Sequence, residues 1–370
     1  MNILNVIPSF YPKIGGSENY ALNLSKYLFR RGHNVTVITS EFPNCIYYEN
    51  IGGIHVIRTN ILKLFSIKNN FDLCNFHGSR SLWLPFIYVY TRFYRTPLVI
   101  TTHGIPPHSS KLNYFKKIIY DKTIGYITFS DSEIIATAKH EKERSIAMGA
   151  KPERISVLTN AVDLKIFNSQ SDSTAFRCKY GIKESEYIIL FVGRLSVYKG
   201  IPFLLHAFKN VLRDKKDVVL VFVGGPSENK TLKNTISEIT KNLDISERVV
   251  FTGPLIGKDL IESYASSDVF VLSSIYEGNP SVILEAMACG KPVISTRVGS
   301  AIDIIKEGKN GYLVDYGNTQ QLSQAILYLI SNKKIAEAIG YNNKQYTINN
   351  FSWDRRVIEI EQLYTKLIEK

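Results

Sequence analysis

"VFVLSSIYEGNPSVILEAMACGKPVIST" occupies residues 269–296. Val269–Leu272 form an apolar run that ends in Ser273 and Ser274. Gly278, Asn279 and Pro280 carry turn chemistry. Ser281 then opens a helical pattern, which Gly290 stops before a second apolar run, "VIST". Strand, turn, helix and strand in this order are the unit of a parallel sheet. Two carboxylates sit inside it, Glu277 in the turn and Glu285 in the otherwise apolar helix, with seven residues between them. A carboxylate in such a helix needs partners.

The same alternation runs outward on both sides. "YIILFVG", "VVLVFVGG", "RVVFTG" and "GYLVD" read as further strands of the second half. The first half offers "NILNVI", "NVTVIT", "IHVIR", "FDLCNFH", "PLVITTHG", "GYITFS" and "RISVLTN". In "SENYALNLSKYLFRRG", Ser17 reads as an N-cap, Tyr20, Leu24, Tyr27 and Leu28 share one face, and Gly32 ends the helix. Residues 163–186 are polar and turn-rich and break the rhythm. The expectation is two α/β halves, each a parallel sheet covered on both faces. Residues 1–165 form an N-terminal Rossmann-like domain and 166–350 a C-terminal one. A C-terminal helix over 351–370 packs back toward the first.

The chain has 370 residues, 45% apolar and 21% charged, as in ordinary soluble proteins. Four scattered cysteines form no C-x-x-C pair, which argues against a disulfide framework or zinc site. No stretch reaches the ~20 apolar residues that span a bilayer. The N-terminus lacks the basic region of a signal peptide. The expected location is cytoplasmic, either free or peripheral on the inner face of the cell membrane. Net charge is +12, and residues 1–170 hold 20 basic against 11 acidic residues. Such an excess favours an acidic partner.

Ligands of doubly wound sheets bind beyond the carboxyl ends of the strands. Gly15 and Gly16 follow the first strand and precede a helix, a place where backbone N–H groups meet phosphate; an ordinary turn is the alternative. His103 follows "PLVITT" and is either a cleft histidine or a structural one; His77 reads as mainly structural. After "YIILFVG" come Arg194 and Lys199, two cations suited to a diphosphate or simply solvated. The two glutamates either bind ligand or serve as cap and salt bridge. Eight helical positions span roughly 12 Å. Glycosidase pairs stand about 5 Å or up to about 9.5 Å apart, so the glutamates read as holding different parts of one ligand. No G-x-G-x-x-G, P-loop, D-x-D or H-x-x-x-H occurs, which argues against a dehydrogenase, a P-loop NTPase and metal-borne chemistry.

"EGNPSVILE" resembles the E-x7-E element of retaining nucleotide-sugar glycosyltransferases of the GT-B fold, above all glycosyltransferase family 4. "GGSEN", "TTHG", "FVGRLSVYKG" and "LEAMACGKPVIST" resemble further elements of that family, in the same chain order. The resemblance implies two Rossmann-like domains facing a cleft and transfer of a hexosyl or N-acetylhexosaminyl group. It implies a nucleotide-sugar donor bound by the 166–350 domain, UDP-sugar before GDP-mannose, and a glycan or lipid-linked acceptor of polysaccharide or lipopolysaccharide synthesis bound by the 1–165 domain. It implies retention of configuration, with neither metal nor other cofactor. Glu285 would hold the ribose. Glu277 would hold the sugar hydroxyls, with backbone of Gly278, Asn279, Pro280, Ser281 and Val282 beside it. Arg194 and Lys199, after Gly193, would neutralise the diphosphate. Gly15 and Gly16 would approach phosphate and sugar, and His103 the sugar's 6-position. Pro254 and Leu255 would meet the base. The family's "NGVD" reads "NAVD" at 160–163, and its glycine pair reads Gly299-Ser300.

"KLNYFKKIIYDK" at 111–122 sets Lys111, Lys116, Lys117 and Lys122 against apolar and aromatic residues. It suits an anionic membrane surface, or packs on the sheet with its lysines solvated. A sugar-nucleotide epimerase or other GT-B enzyme is an alternative. A nucleic-acid-binding protein is a third, but no module for it occurs.

Overall fold

The computed structural model describes residues 1–13, 15–67, 70–104, 111–167, 173–225 and 230–369. It divides into two compact units, Met1–Asn160 with Trp353–Lys370, and Ala161–Ser352. The first division thus falls just ahead of the polar stretch at 163–186. Residues 353–370 count with the first unit.

The first unit's strands are β1 (Asn2–Val6), β2 (Asn34–Ser40), β3 (Tyr48–Ile51), β4 (Ile54–Thr59), β5 (Leu73–His77), β6 (Leu98–Thr101), β7 (Glu133–Ala136) and β8 (Ile155–Val157). They lie in the order β3-β4-β2-β1-β5-β6-β7-β8. Its helices include α1 (Gly16–Arg30), α2 (Trp83–Phe93), α3 (Lys111–Tyr120), α4 (Tyr126–Ser130) and α5 (Lys139–Ala147). The sheet is parallel except for β3, which pairs antiparallel with β4 across a Gly52-Gly53 turn. That hairpin was not expected from sequence.

Two local expectations fail. "GYITFS" is helical, not a strand. Gly125 closes a π turn that runs into α4, where Thr128 Oγ1 donates to Ile124 O at 2.9 Å. The β-branched and aromatic residues favour a strand in isolation, but the helix begun at Lys111 continues through them and buries Phe129. Ser17 is not the cap of α1. Gly15 takes that place in extended conformation, and the Ser17 hydroxyl donates to Glu18. The expected apolar face of α1 is buried at Tyr20, Leu24, Tyr27 and Leu28.

The second unit carries β9 (Tyr187–Val192), β10 (Val218–Val223), β11 (Val249–Gly253), β12 (Val269–Leu272), β13 (Val293–Thr296) and β14 (Gly311–Val314). Their order is β11-β10-β9-β12-β13-β14, all parallel. Alternate residues face opposite cores. Ile189, Phe191, Leu220 and Phe222 enter one, and Ile188, Leu190, Val221 and Phe270 the other. With both faces covered, the strands need continuous apolar sequence, and β10 is buried throughout. After α6 (Leu164–Phe167) and α7 (Ser173–Lys179), the covering helices include α8 (Ile201–Asp214), α9 (Lys230–Asn242), α10 (Gly257–Ser266), α11 (Ser281–Ala288), α12 (Ala301–Ile304), α13 (Thr319–Ser331) and α14 (Lys333–Asn350). Helix α15 (Trp353–Ile368) belongs to the first unit and packs on α1. Among the described residues no helix is long and apolar enough to cross a membrane.

Candidate active site

Strand order reverses between β9 and β12, the switch point at which such sheets bind ligands. The loops that leave these two strands are strapped together. Ser273 Oγ donates to Lys199 O at 2.9 Å, and Ile275 N–H to Tyr198 O at 2.7 Å. Gly200 permits the approach: φ is +61°, and a Cβ there would lie 2.0 Å from Ser273 O. A side chain would break both the turn and the contact.

This strapping brings Lys199 to Glu277. Lys199 Nζ lies 2.5 Å from Glu277 Oε1, and Ser274 Oγ donates to the same oxygen at 2.6 Å. The side chains are 20% and 13% exposed. Two residues singled out separately in the sequence thus form one ion pair. Arg194 stands in the same loop, exposed, after Gly193.

The turn from Gly278 to Pro280 is held from the loop after β13. Ser300 N–H donates to Gly278 O at 3.1 Å, and Ser300 Oγ to Asn279 Oδ1 at 2.6 Å. Gly299 has φ +49°, and a Cβ there would meet Gly278 O at 2.4 Å. The Gly-Ser pair at 299–300 therefore supports the turn, with the serine hydroxyl fixing Asn279.

Pro280 precedes α11 in extended conformation, and Ser281 and Val282 are its first residues. Their N–H groups belong to the helix end that has no intrahelical acceptors. Glu285 lies one turn on. Ser281 Oγ donates to its Oε1 at 3.0 Å and Tyr264 O–H to its Oε2 at 2.8 Å. Burial raises the carboxyl pKa, and these two hydrogen bonds oppose the rise. The glutamates thus have different partners. Pro254 is exposed and Leu255 half-buried in the loop after β11.

Gly15, Gly16 and His103 belong to the first unit. Gly16 opens α1, and a Cβ on it would meet no described protein atom within 4 Å. His103 follows β6, and its Nε2 lies 3.1 Å from Nδ1 of His77. Burial lowers the His103 pKa to about 4, against the raising field of Glu141, and lowers that of His77 well below the ordinary value. Both imidazoles are neutral at neutral pH.

Sequence reasoning did not single out Tyr264, Glu141 or Ser300 for these roles, and it gave His77 no partner. Tyr264 stands 21 positions before Glu285, in a helix with no local signal of the pairing. Glu141 is a buried carboxylate beside His140 and Arg144 in the first turn of α5. Its charge gave it an ordinary surface appearance.

Residues 172–346 match the family described as glycosyl transferases group 1, and residues 14–166 match Glycosyltransferase Family 4. An uncharacterized glycosyltransferase of Methanocaldococcus jannaschii is 28% identical over 100% of this chain and 99% of its own. Among solved structures, sucrose-phosphate synthase from Thermosynechococcus elongatus has a TM-score of 0.85 at 21% identity, covering 100% of this chain and 99% of that one. Anabaena HepE, solved in complex with UDP-glucose, has a TM-score of 0.82 at 22% identity, with the same coverage. With a family 4 match in its first part and a group 1 match in its second, on two Rossmann-like parallel sheets, the chain belongs to the GT-B glycosyltransferases.

Proposed function

We propose that the protein transfers a hexosyl or N-acetylhexosaminyl group from a UDP-sugar to a glycan or lipid-linked acceptor, with retention and without a metal. The observation that carries this is the pairing at the switch point of the second sheet. Lys199 and Glu277 stand together there, and Glu285 is held one turn into α11. Glu285 takes the ribose hydroxyls. Glu277 and the first-turn N–H groups of α11 take the sugar. Arg194 and Lys199 meet the charge that grows on the leaving phosphate. The C1–O bond to the β-phosphate breaks as the acceptor oxygen bonds C1 on the same face. The acceptor's proton passes to the leaving phosphate. Uridine is preferred because HepE, a fold neighbour, was solved with UDP-glucose. The test is a thermal-shift screen of UDP, GDP and ADP with their sugar conjugates, in the presence of chelator. UDP and one UDP-sugar are expected to raise Tm, and Glu285→Ala to abolish the rise. Stabilisation by GDP alone would replace the donor, and none by any nucleotide would remove the site.

The acceptor reading extends to the membrane. On α2 and its cap, Leu82, Phe86, Val89 and Phe93 recur at helical spacing and are all exposed, Leu82 by 83% and Phe93 by 72%. Ile119, Ile124, Tyr126 and Ile127 are exposed on the helical stretch that includes α4, which contacts α2. Lys116 and Lys122 are exposed alongside; the side chains of Lys111 to Phe115 lie outside the described residues. An apolar face with a basic margin fits the headgroup zone of an anionic bilayer. The protein is expected to float with vesicles containing anionic lipid, and Leu82→Glu/Phe93→Glu to stay at the bottom of the gradient. Wild type left at the bottom with the anionic vesicles would end this part of the proposal.

A further inference from the structure

His77 and His103 sit at the ends of neighbouring strands. His77 closes β5 and pairs in register with Thr101 of β6, and His103 follows two residues later. Their ring centroids lie 5.3 Å apart and their planes 20° from parallel, the edge-to-edge placement of an N–H···N bond. The edge of Tyr20 packs on both, at 6.0 Å and 5.0 Å. His77 is 2% exposed. Two neutral imidazoles in contact through Nδ1 and Nε2 need one donor and one acceptor, and each ring has a single N–H to offer.

A third side chain sets the direction. Asn75 is fully buried two residues before His77. Thr101 Oγ1 donates to its Oδ1 at 2.8 Å, and its Nδ2 donates to Tyr364 O–H at 2.7 Å. The amide nitrogen also lies 3.4 Å from His77 Nε2. A nitrogen that carries only hydrogens makes His77 Nε2 the acceptor. The His77 proton then resides on Nδ1 and is donated to His103 Nε2. The His103 proton is left on Nδ1.

We propose that His77 is a positioning residue which, oriented by Asn75, fixes His103 as its Nδ1–H tautomer, so that His103 offers its ligand an N–H donor. This rests on the reading that His103 meets the transferred sugar. Sugar hydroxyls and phosphate oxygens accept such a bond, and a ring of the wrong tautomer turns a lone pair toward them. The orienting bond on the far nitrogen is how proteins ordinarily choose an imidazole tautomer. The T-shaped contact with Tyr20 holds the ring plane as well, so the chain sets both proton and orientation.

The experiment reads the tautomer directly. Long-range 15N–1H correlation spectra of the full-length protein at neutral pH are recorded for wild type, His77→Phe and His77→Asn, with His103→Gln assigning the signal. Wild type is expected to show His103 protonated on Nδ1. His77→Phe is expected to move the proton largely to Nε2 and to lower kcat about tenfold, less than the ~10²–10³ lost when a donor is removed outright, with donor KM little changed. His77→Asn returns an amide N–H near the place of Nδ1, and is expected to recover most of both. His103 found on Nε2 in wild type would overturn the proposal without any variant. So would a His77→Phe protein that keeps the Nδ1 proton and the full kcat. His103→Gln at wild-type turnover would instead refute the sugar-contact reading, while the spectra alone still decide the tautomer.

Discussion

Lys199→Ala is expected to lower turnover ~10²–10³-fold, the usual loss when one preorganised donor to a developing anion is removed. Lys199 ends the short turn Val197–Lys199, and its carbonyl is gripped by Ser273 Oγ. Its ammonium is therefore carried by a fixed backbone and held against Glu277 before any ligand arrives. No reorganisation is needed when charge grows on the departing phosphate. Truncation has a second effect, because Glu277 loses its cation in a site where it is only 13% exposed. Unpaired shielded charge lowers stability. The two effects separate in Lys199→Ala/Glu277→Gln, which is expected to regain Tm without regaining turnover. Lys199→Arg should recover little, since a fork of different length cannot copy a point charge at this spacing. Initial rates and melting curves on the four proteins decide it. Turnover of Lys199→Ala within a few-fold of wild type would take the residue out of the diphosphate site.

Trp353→Ala is expected to destabilise the first unit by ~3–5 kcal/mol, the range for deleting a large buried aromatic. Trp353 opens α15 and is 1% exposed. Its ring meets the edge of Tyr20 at 5.1 Å and stacks on Tyr27 at 5.9 Å. Tyr20 in turn packs on both histidines, so the cavity opens behind the ring that backs His103. Trp353→Phe should cost much less. It keeps most of the ring contacts and removes an indole N–H that has no hydrogen-bond partner among the described residues. The protein's two tryptophans, Trp83 and Trp353, both lie in the first unit. Denaturation followed by the fluorescence of the remaining Trp83 thus reports that unit alone. A loss under ~1 kcal/mol for the alanine variant would mean that α15 is not held by this side chain.

The second sheet was legible because burial on both faces demands apolar runs such as "VVLVFV", which few other structures use. The spacing of Glu277 and Glu285 was equally plain. Their partners were not. Lys199 is 78 positions from Glu277, and a linear pattern holds no record of a strap closed by Gly200 and Ser273. "GYITFS" misled because β-branched and aromatic residues look alike in a strand and at the buried end of a helix. Strand β3 was missed because it is a short, largely exposed edge; only the Gly52-Gly53 turn marked it. His77 was read as structural on its own merits, and only the β5–β6 register brings it to His103.

The first unit is discontinuous in the chain, and this has a consequence for its synthesis. Asn75 waits for Tyr364, and Tyr20 waits for Trp353. All residues of the second unit, 161–352, leave the ribosome in between. At typical elongation rates of 5–20 residues per second the delay is roughly 10–40 s. For that interval the pocket for Trp353 stays open on the nascent chain. The unit begun second is the one completed first.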